Sequence, residues 1–158
     1  MIGCKLALIE SNSLFRSGLN LLLTQLGHQV VAECGSGKEF IERFESKTAH
    51  VETALIDVHM QNEDGITTLQ WIKQNKPDIK VIALAMFDCS ELQAMLNNGA
   101  CSFIPKTADP GEIHLTLKRV IKRGFYKATK STLMSPIECD MSETERKELI
   151  DFIRKQIG

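Results

Sequence analysis

Five short apolar runs, each followed by a segment of helical periodicity, constrain this chain more than any other feature of its 158 residues. Residues 5–10 (KLALIE), 28–34 (HQVVAEC), 53–58 (TALIDV), 80–85 (KVIALA) and 101–105 (CSFIP) read as strands. Helical patterns fill 13–26, 38–46, 65–75 and 90–98, and a fifth helix opens at Asp109. In the first helix Leu14, Leu19, Leu22, Leu23 and Leu26 make an apolar stripe, and Gly27 closes it. Phe40, Ile41 and Phe44 share a face of the second. Lys76-Pro77 ends the third and Gly99 the fourth. The fifth has Asp109 at its N-cap, Pro110 at N1 and Glu112 at N3, with Ile113, Leu117, Val120 and Ile121 as its stripe. Regular alternation of strand and helix predicts an α/β fold, a doubly wound sheet of five parallel strands flanked by five helices; if the order is the flavodoxin-like 2-1-3-4-5, strands one and three are neighbours.

The bulk numbers exclude several other classes. With 43% hydrophobic and 25% charged residues the chain has an ordinary globular composition. It has no apolar run of membrane-spanning length and no signal-peptide anatomy, so a cytoplasmic protein is expected. A net charge of −1 gives no basic footprint for nucleic acid. Five cysteines and four histidines lie scattered without metal-ligand spacing, so reduced, buried cysteines are expected and a structural zinc site is not.

In a doubly wound sheet, ligands bind beyond the carboxyl ends of the strands. Those ends carry Glu10-Ser11, Asp57, Ala85 and, after the fifth strand, Lys106. With strands one and three adjacent, Glu10 and Asp57 face one crevice. Two carboxylates at close range repel unless a cation lies between them, and oxygen donors suit Mg2+. Lys106 adds a point charge suited to an anion. This set describes a phosphoryl-transfer site, with Asp57 as the nucleophile that forms an acyl phosphate. The plainer alternative is that Asp57 caps the following loop and Glu10 is solvated. No glycine-rich loop follows the first strand, where Ser11-Asn12-Ser13 stands instead, which argues against a flavin or nucleotide enzyme.

Several segments resemble the receiver domain of two-component response regulators, in particular the NarL/LuxR-type subgroup that precedes a helix-turn-helix. They are LIESNSLFRSGLNLLL, ALIDVHMQNEDGITTLQWIK, VIALAMFD and NGACSFIPKTADPGEIHLTLKRVIKRGFY. The likeness covers about residues 4–126. It implies a CheY-like fold, a non-enzymatic signalling role, and phosphorylation of Asp57 by a sensor histidine kinase or phosphotransfer protein. It further implies that Glu10, Asp57 and the backbone carbonyl of His59 hold Mg2+, and that Lys106 pairs with the phosphoryl oxygens. Phe103 matches the aromatic residue whose rotamer reports the active state, although a plain packed residue would look the same.

The pattern also breaks. Ser11 stands where the family has a second acid, which weakens the metal site. Ala85 stands where a Thr or Ser hydroxyl bonds the phosphoryl group, and Gln61 and Pro105 alter loops. A hydrogen bond to a charged group is worth roughly 1.5–3 kcal/mol, against about 5.5 kcal/mol to convert a 1:99 equilibrium to 99:1. Losing that hydroxyl removes a large part of the switching energy. The competing expectation is therefore a pseudo-receiver, a docking or dimerisation module independent of phosphorylation.

The domain reading is a receiver over 1–124, a linker over 125–141 and an amphipathic helix over 142–158. That last helix has a Ser142 capping box and a stripe of Leu149, Ile150, Ile153 and Ile157, and it resembles the start of a helix-turn-helix module. The chain stops before a recognition helix, so DNA contact is expected only through an output domain outside it. A homodimer is a candidate through the fourth or fifth helix, where His114 and Leu115 lie off the core stripe.

Overall fold

The computed structural model describes residues 3–46, 50–87 and 89–123. The linker and terminal-helix expectations for 125–158 lie outside them, as does Gly124. Five strands, β1 (Lys5–Ile9), β2 (Gln29–Cys34), β3 (Thr53–Asp57), β4 (Lys80–Ala85) and β5 (Ser102–Pro105), alternate with five helices. These are α1 (Ser13–Gln25), α2 (Gly37–Ser46), α3 (Asp64–Asn75), α4 (Ser90–Asn97) and α5 (Pro110–Arg123). All pairings are parallel, as the alternation predicts, and the sheet takes the flavodoxin-like order β2-β1-β3-β4-β5.

The strands are apolar on both faces because helices cover both. Leu6, Leu8, Leu55, Ile82 and Leu84 pack with Leu19, Leu23, Ile113 and Leu117 of α1 and α5. The alternate residues Ala7, Ile9, Ala54, Ile56, Val81 and Ala83 pack with Phe40, Leu69, Ile72, Leu92 and Met95 of α2, α3 and α4. Period-two alternation thus feeds two cores, each dry enough to hold the sheet rigid.

Local signals set the helix ends. Asn12 caps α1 by accepting from the Phe15 amide at 3.0 Å. Gly27 follows α1 with φ of 89°, and the His28 amide donates back to Leu23 at 3.0 Å, a Schellman close that a β-carbon would strain. At α5 the capping box forms in both directions: Glu112 N–H to Asp109 at 2.9 Å and Asp109 N–H to Glu112 at 3.2 Å.

Two expectations need correction. Leu14 is 83% exposed, because the 3.6-residue period that places Leu19, Leu23 and Leu26 inward continues back to Phe15, not Leu14. His114 and Leu115 are buried, so neither is open surface, and the His114 ring lies 6.5 Å from that of His28. A short 3-10 turn over Gln61–Glu63, with Asn62 at φ of 60°, also joins β3 to α3.

Candidate functional site

Register brings the predicted acids together. Ile9 of β1 pairs with Ile56 of β3, so the next residues, Glu10 and Asp57, emerge side by side at the carboxyl edge of the sheet. They are 1% and 2% exposed, which is unusual for carboxylates and demands partners. Lys106 supplies one from the far side. β5 pairs with β4 through Ala85 and Pro105, and the Lys106 amide then donates to the Ala85 carbonyl at 2.8 Å. This holds the side chain over the crevice, with Nζ 2.7 Å from Glu10 Oε2 and 3.2 Å from Asp57 Oδ2.

The remaining carboxylate oxygens take backbone donors. Glu10 Oε1 accepts from the Asn12 amide at 3.0 Å, and Asp57 Oδ1 from the His59 amide at 2.9 Å. Burial pushes the Glu10 carboxyl above the ordinary range, although the Lys106 ammonium and the Asn12 amide pull the other way and Asp57 adds to the rise. Two buried carboxylates here share one ammonium.

That imbalance tests the fit to a divalent cation. Two buried hard oxygen ligands with a surplus negative charge suit Mg2+, which binds few carboxylates and keeps several waters. Ser11 is exposed at the position where a further acid would complete the set. The donor set therefore fits the ion with one carboxylate fewer than the resemblance implies.

Ala85 is fully buried at the end of β4, its carbonyl taken by the Lys106 amide, and its side chain is a methyl group with no hydroxyl. Phe103 is half-buried on β5 and packs against the core beneath α4. His59 is exposed beyond Asp57, with its amide engaged as above.

Sequence reasoning missed the residues that hold the acids in place. Arg16 Nη1 donates to the Glu10 carbonyl at 2.6 Å, and the Phe15 ring lies 5.1 Å from Lys106 Nζ. Gly65 lets α3 approach so closely that a β-carbon there would sit 2.7 Å from the Asp57 carbonyl oxygen. Asn12, the N-cap of α1, also supplies the backbone amide that Glu10 accepts from.

The sequence of residues 6–118 matches the family described as response regulator receiver domain. Among individual proteins, the chain is 28% identical over 117 residues to the response regulator protein VraR of Staphylococcus saprophyticus, covering 73% of this chain and 55% of that one. It is 32% identical over 111 residues to VraR of Staphylococcus aureus, covering 69% and 52%. The chain thus spans about half the length of these relatives. In structure it resembles the isolated receiver domain of RcsB from Salmonella enterica serovar Typhimurium, solved with the phosphomimetic BeF3−. That likeness has a TM-score of 0.70 at 20% identity and covers 83% of this chain and 96% of the other.

Proposed function

The chain belongs to the response regulator receiver domains of two-component signal transduction, and we propose that Asp57 is its phosphoacceptor. The observation that carries this reading is the buried Glu10–Lys106–Asp57 cluster, in which one ammonium serves two carboxylates. A fold needs no such cluster for stability, since buried ion pairs rarely outperform apolar packing.

In the reading proposed, a carboxylate oxygen of Asp57 attacks the phosphorus of a phosphohistidine on a sensor kinase or phosphotransfer protein. The N–P bond breaks as the O–P bond forms, and the released imidazole takes a proton from solvent. Glu10, Asp57 and the His59 carbonyl would hold Mg2+, which when bound supplies positive charge against the incoming phosphoryl oxygens. Lys106, already 3.2 Å from Asp57, is the chain's own cation for those oxygens. Phe103 beneath α4 and the hydroxyl-free end of β4 at Ala85 make up the switch region.

Receiver domains are signalling modules rather than enzymes, and the regulated element proposed here is a DNA-binding output of the LuxR type. DNA contact would belong to that output and not to the receiver. A cytoplasmic location suits a kinase partner; among the described residues no helix is long and apolar enough to cross a membrane. Ser11 and Ala85 speak for a phosphorylation-independent docking module, but the intact Glu10–Lys106–Asp57 cluster favours the phosphoacceptor.

Trapping tests the assignment. Protein treated with acetyl phosphate and Mg2+ is quenched with hydroxylamine, which converts an acyl phosphate to a hydroxamate. Peptide mass mapping should find the hydroxamate on Asp57. A hydroxamate on another carboxylate, or none, would refute it.

A further inference from the structure

Beside the phosphoacceptor crevice, and sharing His59 with it through the side chain instead of the backbone carbonyl, three donors of different chemistry converge. His59 lies in the loop after β3, Cys89 immediately precedes α4, and Glu91 is in the first turn of that helix. One ligand atom from each lies within 4.8 Å of the others. His59 Nε2 and Cys89 Sγ are 3.6 Å apart.

These distances are close to those a metal would impose. With Zn–S at about 2.3 Å and Zn–N at about 2.0–2.1 Å, tetrahedral angles separate sulfur and nitrogen ligands by about 3.6 Å. Only the Glu91 carboxylate needs to close in, by about an ångström, a rotation of an exposed side chain that gives up the 3.2 Å hydrogen bond Glu91 accepts from Ser90 Oγ. Cys89 occupies the N-cap of α4, with its thiol near the first-turn amides of Glu91 and Leu92. On one side the 63%-exposed Phe87 ring lies 5.8 Å from His59, an apolar wall beside the imidazole.

We propose that His59, Cys89 and Glu91 form a binding site for one borderline-soft divalent cation of the Zn2+ class, with water as its fourth ligand. Thiolate plus imidazole selects against Mg2+, whose preference for oxygen keeps it at Glu10 and Asp57. Binding replaces the thiol proton, which is released to solvent, and involves no redox change. The bound ion would tie the start of α4 to the loop whose His59 amide holds Asp57 at 2.9 Å. The site goes beyond phosphoryl acceptance and stands whether or not Asp57 is phosphorylated.

Co2+ is the probe. The full chain, stripped with chelator and kept reduced with a non-thiol reductant, is titrated with Co2+ in excess Mg2+. The site predicts a near-ultraviolet thiolate-to-cobalt band that saturates at one equivalent and is displaced by Zn2+. Cys89→Ser should abolish the band, and His59→Gln and Glu91→Gln should each weaken Co2+ binding by about tenfold or more. No thiolate band, or one that survives Cys89→Ser, would overturn the proposal. So would a band indifferent to His59→Gln, because the ion would then sit elsewhere; the observed contact would be a simple thiol–imidazole hydrogen bond.

Discussion

The Lys106 ammonium lies closer to Glu10, at 2.7 Å, than to Asp57, at 3.2 Å. The lysine therefore acts first as the internal counter-ion of Glu10, the acid proposed to hold the metal. It stands within reach of the acid that would carry the phosphoryl group.

Removing that counter-ion should be costly. Lys106→Met leaves two buried carboxylates facing each other and is expected to destabilise the protein by about 3–5 kcal/mol near neutral pH. Urea unfolding measures this. The Glu10 carboxyl already titrates above its ordinary range because of burial, so the folded state takes up its proton before the unfolded state does. Stability lost in the variant should thus return as pH falls through the folded pKa toward about 4.5. An unchanged midpoint would mean that the acids do not depend on Lys106.

Ala85 offers a gain-of-function test. Ala85→Ser puts a hydroxyl on the β-carbon at the end of β4, where a fully buried methyl stands now. A charge-assisted hydrogen bond of roughly 1.5–3 kcal/mol corresponds to a ten- to hundredfold change in an equilibrium constant. The variant should bind beryllofluoride with Mg2+ at least about tenfold more tightly than the parent. Equal affinity would show that the missing hydroxyl does not limit the switch.

Gly65 tests how tightly the crevice is built. In Gly65→Ala the new β-carbon meets the Asp57 carbonyl oxygen at 2.7 Å, so α3 or the end of β3 must shift. A loss of about 1–3 kcal/mol is expected, with weaker Mg2+ binding as Asp57 moves. Thermal unfolding with and without Mg2+ separates the two effects.

His28 predicts a pH dependence of opposite sign to that of Glu10. It is buried, accepts from the Cys4 amide through Nδ1 at 3.2 Å, and is held below its ordinary pKa by desolvation and then by the nearby His114. The unfolded chain therefore takes up this proton first. Stability should fall as pH drops below about 6.5 and level off beneath the folded pKa, by at most about 1.4 kcal/mol per pH unit. His28→Asn, which keeps an acceptor without a titrating ring, should flatten that slope in urea titrations.

Much of this was legible before any coordinates. Glycines and a capping box bound the helices by local chemistry, so α1 and α4 stop, and α5 starts, within two residues of Gly27, Gly99 and Asp109. The flavodoxin-like order, one of the two common in doubly wound sheets, puts β1 beside β3 and so brings Glu10 to Asp57. What escaped depends on three-dimensional closure. Leu14 and Phe15 are adjacent in sequence, and only the phase of the helix against the sheet decides which is buried. Arg16 reaches back to the Glu10 carbonyl, a contact no spacing rule encodes. His59 and Cys89 are 30 residues apart and meet because two loops end at the same edge of the sheet.

Intact mass tests the central claim most directly. The full chain and Asp57→Ala are incubated with acetyl phosphate, with and without Mg2+. The account predicts a gain of one phosphoryl group in the parent, dependent on Mg2+ and absent from Asp57→Ala. No gain at high Mg2+, or an equal gain in Asp57→Ala, would contradict it.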